Sequence, residues 1–164
     1  MIKRIFILLC AGCLPLFSAA DLPPVLNSLE GRWVGNFEVV NSQGTRVFRF
    51  PVEHRYWIEE GQLRGLATAE IDGELLFTHS ASYLLDGQLV SDVVEEGRST
   101  RYLGTLNQGT LTWASTEAGM EVRETLMQKD EKLILKIQYQ QELSHPQGER
   151  VRFEFTGLLQ KVES

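Results

Sequence analysis

Apolar and polar residues alternate with a period of two over most of this chain, and short polar clusters ending in glycine interrupt the alternation. Gly44, Gly61, Gly73, Gly87, Gly97, Gly109, Gly119 and Gly148 each close such a cluster, mostly ten to fourteen residues apart. That interval is one strand plus one turn. A period of two means one buried and one wet face, the pattern of antiparallel strands. Asp72-Gly73 and Asp86-Gly87 are the strongest hairpin signals, because a two-residue turn needs positive φ and glycine supplies it without steric cost.

The pattern predicts an all-β chain of ten strands in an up-and-down meander. Residues 21–28, with Pro23-Pro24, read as an extended lead-in, followed by one helical turn over 26–30. The strands are then 32–40, 45–59, 62–71, 74–85, 88–95, 99–106, 110–116, 120–127, 132–143 and 150–159. Parity assigns Trp33, Gly35, Phe37 and Val39 to one face of the first strand, and Phe48, Phe50, Val52, Tyr56 and Ile58 to one face of the second. Pro51 lacks a ladder donor and predicts a bulge or bend there. Leu63, Gly65, Ala67, Ala69 and Ile71 share a face of the third strand, and Leu75, Phe77, His79, Ala81 and Tyr83 one of the fourth. The fifth is ambiguous, since Leu89, Val90, Val93 and Val94 define no single face. Tyr102 aligns with Gly104 and Leu106, Leu111 with Trp113, and Val122 with Glu124 and Leu126. Leu133, Leu135, Ile137 and Tyr139 give the cleanest alternation, and Val151, Phe153 and Phe155 close the series.

An open sheet of this size leaves two unpaired edges, and closure into a barrel of eight to ten strands removes them. A barrel of that width fills its interior with side chains or leaves room for one small ligand. Small inward residues at Gly35, Gly65, Ala67, Ala69, Ala81 and Gly104 favour a pocket. The alternative is that they compensate for Trp33, Trp57 and Trp113 in a filled interior.

Residues 1–20 stand apart from this pattern. Lys3 and Arg4, the apolar run from Ile5 and the small residues Ser18-Ala19-Ala20 read as a signal peptide, leaving residues 21–164 as one barrel domain in the periplasm or secreted. The run is interrupted by Gly12 and Pro15 and is too short to span a membrane; no other stretch comes close. Cys10-Ala11-Gly12-Cys13 is similar to a lipobox, which would lipidate Cys13, but cleavage near Ala20 is the favoured reading. Both cysteines would leave with the signal, so the core alone must hold the fold. Without Lys3 and Arg4 the 16 basic residues fall to 14 against 22 acidic, a net charge of −8. That balance argues against nucleic-acid binding and favours solubility.

Gly31-Arg32-Trp33-Val34-Gly35 opens the first strand. A Gly-x-Trp there is similar to the signature of the calycin superfamily, the lipocalins, fatty-acid-binding proteins and related bacterial barrels. The resemblance implies that Trp33 closes one barrel end, with Arg150, Arg152 or Lys161 packed over it. Gly-x-Trp-x-Gly also resembles the haem-binding nitrobindin-type barrels, and Gly109 to Trp113 resembles bacterial lipocalin-like domains of uncharacterised type. The chain departs from these groups in lacking a Thr-Asp-Tyr-type segment and helices between its first two strands. Its one late histidine, His145, lies in a turn before Pro146.

Candidate chemistry is sparse. No nucleophile–base pair, phosphate loop or Cys/His metal spacing stands out, which places a hydrolase last. By parity His54, His79 and Glu124 share the faces of the inward aromatics, a set that would suit a metal or haem or simply be hydrogen-bonded. Glu59-Glu60 and Glu95-Glu96 precede turn glycines and read as solvated charges. Arg98 and Arg101 with Tyr102 would meet an acidic ligand at a barrel mouth, or balance Glu95 and Glu96. Met120 and Met127 read as core and rim.

The expectation is therefore a non-catalytic barrel, with no cofactor, that takes a small apolar or amphipathic molecule. Its cavity would be lined by Phe37, Phe50, Tyr56, Phe77, His79, Tyr83, Tyr102, Trp113, Tyr139 and Phe153. The alternatives are a filled barrel acting as a protein-interaction module, marked by outward apolar residues such as Val34, Leu66, Leu76, Leu84 and Ile134, and a haem or metal barrel.

Overall fold

The computed structural model describes residues 22–41, 43–115, 120–129, 131–142 and 150–163. Residues 1–20, which include the two cysteines, and His145 lie outside these residues. A short helix α1 (Pro24–Ser28) leads into ten strands: β1 (Gly31–Asn41), β2 (Arg46–Glu59), β3 (Gln62–Ile71), β4 (Glu74–Leu85), β5 (Gln88–Glu95), β6 (Arg98–Asn107), β7 (Thr110–Ser115), β8 (Met120–Lys129), β9 (Lys132–Glu142) and β10 (Arg150–Val162). Each strand pairs antiparallel with the next, and β1 pairs with β10, so the meander closes into a barrel. No helix among the described residues is long and apolar enough to cross a membrane.

Five hairpins use two-residue turns in which both residues have positive φ: Glu60-Gly61, Asp72-Gly73, Asp86-Gly87, Glu96-Gly97 and Gln108-Gly109. This is the mirror-image turn whose twist matches that of the flanking strands. The ladder runs through Pro51, opposite Asn36, without a break. The irregularity lies instead at Val47, because Val39 pairs with Phe48 and Val40 with Arg46. Proline is tolerated because the β2–β3 ladder ends at Val52–Ala69, one residue short of it.

The two ends of the barrel differ. At the end where β1 begins, α1 lays Leu26 and Leu29 across the opening. Beneath them Trp33, Leu63, Leu111, Leu133, Leu135 and Leu159 form a packed floor. Trp33 is wholly buried, and its Nε1 donates to the Leu29 carbonyl at 2.7 Å. The Lys161 ammonium stands over its ring, 5.2 Å from the centroid, so of the three candidate cations it is Lys161 that covers this tryptophan.

Three inward glycines make room for rings in this packed part. A methyl group on Gly104 would overlap the Trp113 ring and stand 2.8 Å from Leu89 Cβ. One on Gly157 would stand 2.7 Å from the Phe37 ring, and one on Gly65 2.9 Å from the Tyr56 ring. Gly104 and Trp113 are direct cross-strand partners. The expected result of Gly104→Ala is therefore a loss of about 1–3 kcal/mol from overpacking. A urea melt of that variant that matches the parent would remove this account of the glycine. Trp57 takes no part in the filling: it is half-exposed on the outer wall, opposite Arg64.

Candidate functional site: a hollow barrel end

Above the floor the barrel holds a cavity of about 550 Å³. Its wall on β1 and β2 is Phe37, Phe50, Val52 and His54, with Phe37 and Phe50 stacked at 5.8 Å. Ala67 and Ala69 of β3 supply short side chains where β1 and β2 supply rings, with Ile71 beyond them. The circuit continues through Leu76 and Thr78 of β4, Val93 of β5 and Thr100 and Tyr102 of β6, and closes through Ser115, Ile137 and Phe155. Glu95, Glu96 and Arg98, around the β5–β6 turn, also line it, with Glu95 and Arg98 paired in register. That turn lies at the opposite end of the barrel from α1, as do the β1–β2 and β3–β4 turns.

His54 is the one buried ionisable side chain among the described residues. It is 8% exposed, and its Nδ1 lies 3.0 Å from the Tyr56 hydroxyl. Its ring also packs against Phe37, with centroids 6.2 Å apart. Removal from water disfavours the charged imidazolium and pushes its pKa down to about 4. His54 is therefore a neutral hydrogen-bonding group in the wall at neutral pH.

Between floor and cavity lies a second void of about 50 Å³, where Ser80, Ser82 and Ser91 meet Tyr56 and Tyr102. Ser82 Oγ donates to Ser91 Oγ at 2.9 Å. A polar void of this size accommodates ordered water.

Of the residues expected to line the cavity, Phe37, Phe50 and Tyr102 do so. Tyr56 and Trp113 also point inward, one layer lower, and border the smaller void. Phe77, His79 and Tyr83 do not line it. The β3–β4 register pairs Thr68 with Phe77 and Leu66 with His79, so both stand on the outer face, as does Ala81 opposite Arg64. Phe77 is 50% exposed. The inward residues of β4 are Leu76, Thr78, Ser80, Ser82 and Leu84. Two of the residues expected outside, Leu76 and Leu84, are thus inside. Tyr139 and Phe153 pair across β9 and β10, but their side chains, like that of Glu124, lie outside the described residues.

The set of two histidines is not assembled: His54 points into the barrel and His79 away from it. Among the described residues no group of three His, Cys, Asp or Glu side chains could hold a metal ion. Arg98 and Arg101 also part company. Arg98 lines the cavity, whereas Arg101 binds Asp92 on the outer wall through two hydrogen bonds of 2.7 and 2.9 Å. Tyr83 donates to the same carboxylate at 2.6 Å. The arginine holds the Asp92 carboxyl below its usual range, and hydrogen bonding to that carboxylate pushes the Tyr83 phenol up.

Parity along single strands put Thr78 on the wrong face and left Val93 undecided, whereas Thr100 and Ser115 share the parity of Tyr102 and of Trp113 and were passed over as polar positions. Thr78 and Val93 are found by carrying the face across a turn of known length, because a two-residue turn joins residues whose numbers differ by three and so differ in parity.

No protein-family model matches the sequence, and no curated protein matches it. Among solved structures the fold is similar to the crystal structure of a protein of unknown function from the DUF3598 family of Nostoc punctiforme. The identity is 13%, the TM-score is 0.58, and the match covers 87% of this chain and 53% of that one. This chain thus spans about half the length of that neighbour, and the likeness is one of fold.

Proposed function

We propose that this protein is an exported, non-catalytic barrel that holds a small apolar or amphipathic molecule in its hollow end. The observation that carries the reading is the division of one barrel into a packed end and a hollow end. The cavity of about 550 Å³ lies within the usual size of small-molecule sites. Its walls are mostly apolar, so burial of the ligand would drive uptake. Membership of the calycin superfamily is part of the proposal, and the Trp33–Lys161 stack at the closed end supports it. Export rests on the reading of residues 1–20 as a signal peptide.

The test is native mass spectrometry of the purified protein with a visible absorption spectrum. A discrete added mass supports a carrier. A bare mass that persists after challenge with lipids overturns it, and a haem spectrum would replace it with a haem barrel. Two substitutions localise the site. Phe50→Ala removes part of the wall and is expected to weaken uptake by about tenfold or more and to cost about 3–5 kcal/mol of stability. Phe77→Ala, on the outer wall, is expected to leave uptake unchanged and stability within about 0.5 kcal/mol.

A protein-interaction module is the second reading. It is favoured by the outer-face residues Leu75 and Phe77, 58% and 50% exposed and two residues apart on β4. The same Phe77→Ala variant separates the two, since only the interaction module loses its activity with it.

A further inference from the structure

We propose that the cavity selects an uncharged apolar molecule bearing hydroxyl or carbonyl oxygen, with His54 and Ser115 as its hydrogen-bonding anchors. The inference rests on the cavity reading above. Ser115 is 6% exposed and lines the cavity, while its hydroxyl oxygen is itself enclosed and has no hydrogen-bond partner among the described residues, so it meets a ligand oxygen by turning about χ1 toward the cavity. A buried hydroxyl left without a partner costs about 1–3 kcal/mol, which a ligand oxygen would offset. His54 spends Nδ1 on Tyr56, and its other ring nitrogen has no partner among the described residues. In the closed ring of ten strands β2 and β7 stand five steps apart in either direction. The two anchors therefore approach the cavity from opposite walls.

The donor set decides the ligand chemistry. A serine hydroxyl both donates and accepts, and the free nitrogen of a neutral imidazole does one or the other according to its tautomer. A ligand hydroxyl serves either tautomer. A carbonyl serves one, with the ring proton turned toward it. Among the described residues, charged head groups find no matching partner beyond the Glu95, Glu96 and Arg98 cluster at the β5–β6 turn. Arg98 is the only lysine or arginine lining the cavity among the described residues, and it stands opposite Glu95 in register and two residues from Glu96. These three groups carry one net negative charge. A carboxylate would meet that charge on entry and no cation beyond it. An ammonium group would have to leave its water for a wall whose one buried ionisable group is neutral.

The test is displacement of the neutral fluorophore N-phenyl-1-naphthylamine from the purified protein by decane, 1-decanol, decanoate and decylammonium. The expected result is that decanol binds about tenfold or more tighter than decanoate, decylammonium and decane. In the His54→Phe/Ser115→Ala double variant the preference of decanol over decane is expected to disappear while decane still binds. Ser115→Ala alone, a loss of one oxygen, is the second variant and is expected to lose about tenfold of that preference. Tighter binding of decanoate or decylammonium overturns the selection and leaves the cavity reading intact. So does a wild-type preference in the variants. Failure of all four ligands to displace the fluorophore overturns the cavity reading itself.

Discussion

Trp33→Ala is expected to lose about 3–5 kcal/mol of stability, the upper range for a single side chain in this barrel. Trp33 is the largest of the wholly buried side chains. Its ring fills the floor beside Leu26 and Leu29, and its Nε1 is bonded to the Leu29 carbonyl just past the end of α1. Truncation therefore removes apolar burial, opens a void and frees the helix that plugs the barrel. Against a total stability of about 5–15 kcal/mol for a small domain, that loss leaves little. Trp33→Phe separates the contributions. It keeps most of the apolar body but leaves the Leu29 carbonyl unpartnered, at a cost of about 1–3 kcal/mol. Lys161 contributes less, since a cation over a ring at an exposed site is worth about 0.5–1 kcal/mol. Urea denaturation followed by circular dichroism measures all three. A Trp33→Ala protein within about 1 kcal/mol of the parent would show that the floor is not held by this ring.

The fold was legible because two independent signals agree in this chain. Alternation marks the strands, and the residue-glycine pairs mark the turns. The site was only half legible, and β4 shows why. Its apolar content favours the face of Leu75, Phe77 and Tyr83, yet that face is outside. The Asp72-Gly73 turn pairs Ile71 with Glu74, so the inward parity changes from odd to even on crossing it. Turn length is backbone geometry and overrides side-chain preference. The ladder shifts as a whole, and large apolar residues are then carried to the surface. The same count assigns β5, whose apolar pattern is ambiguous: Leu84 inward requires Leu89, Ser91 and Val93 inward. Val90 is nonetheless buried, between Tyr83 and Leu103 on the outer face, which is why two adjacent positions of that strand both read as core.

The hollow itself was less legible still. Small inward residues mean opposite things at different heights in the barrel. Gly65, Gly104 and Gly157 are small because rings occupy the space beside them. Ala67 and Ala69 are small where no ring crosses to fill the space, and the cavity is there. Distinguishing the two requires knowing which rings lean across which strand pairs, a tertiary fact that residue size does not encode. Both readings of the small residues, compensation and cavity, hold in one barrel.

Acidification from pH 7 to pH 4 is expected to lower the stability of this protein through His54, and the sign follows from its burial. The folded state holds the imidazole neutral, with its pKa down at about 4, against 6.5 for an ordinary histidine. Between those values the unfolded chain binds the proton more readily, so unfolding takes up a proton and stability rises with pH. The contribution is fully present above pH 6.5, falls as pH drops through the window, and is spent below about pH 4. The whole displacement corresponds to about 3 kcal/mol. Glu53, held between Arg32 and Arg55 with its pKa lowered to about 2, acts in a different window. Its stabilisation is present above its ordinary 4.5 and is lost only below that, so the loss between pH 6.5 and 4.5 is assigned to the histidine. The measurement is the urea midpoint as a function of pH for the parent and for His54→Phe. The parent is expected to weaken steadily from pH 6.5 downward. The variant should be flat to about pH 4.5, because phenylalanine has no proton to gain. A parent that is equally stable at pH 7 and 5, or a variant that retains the parent's slope, would show that this histidine is hydrated or partnered in the folded state. The same cavity wall supplies a functional consequence. Protonation of His54 puts a charge beside Phe37 and Val52 in the cavity wall, so under the proposed function the affinity for an apolar ligand and the fold stability should fall together over one pH range.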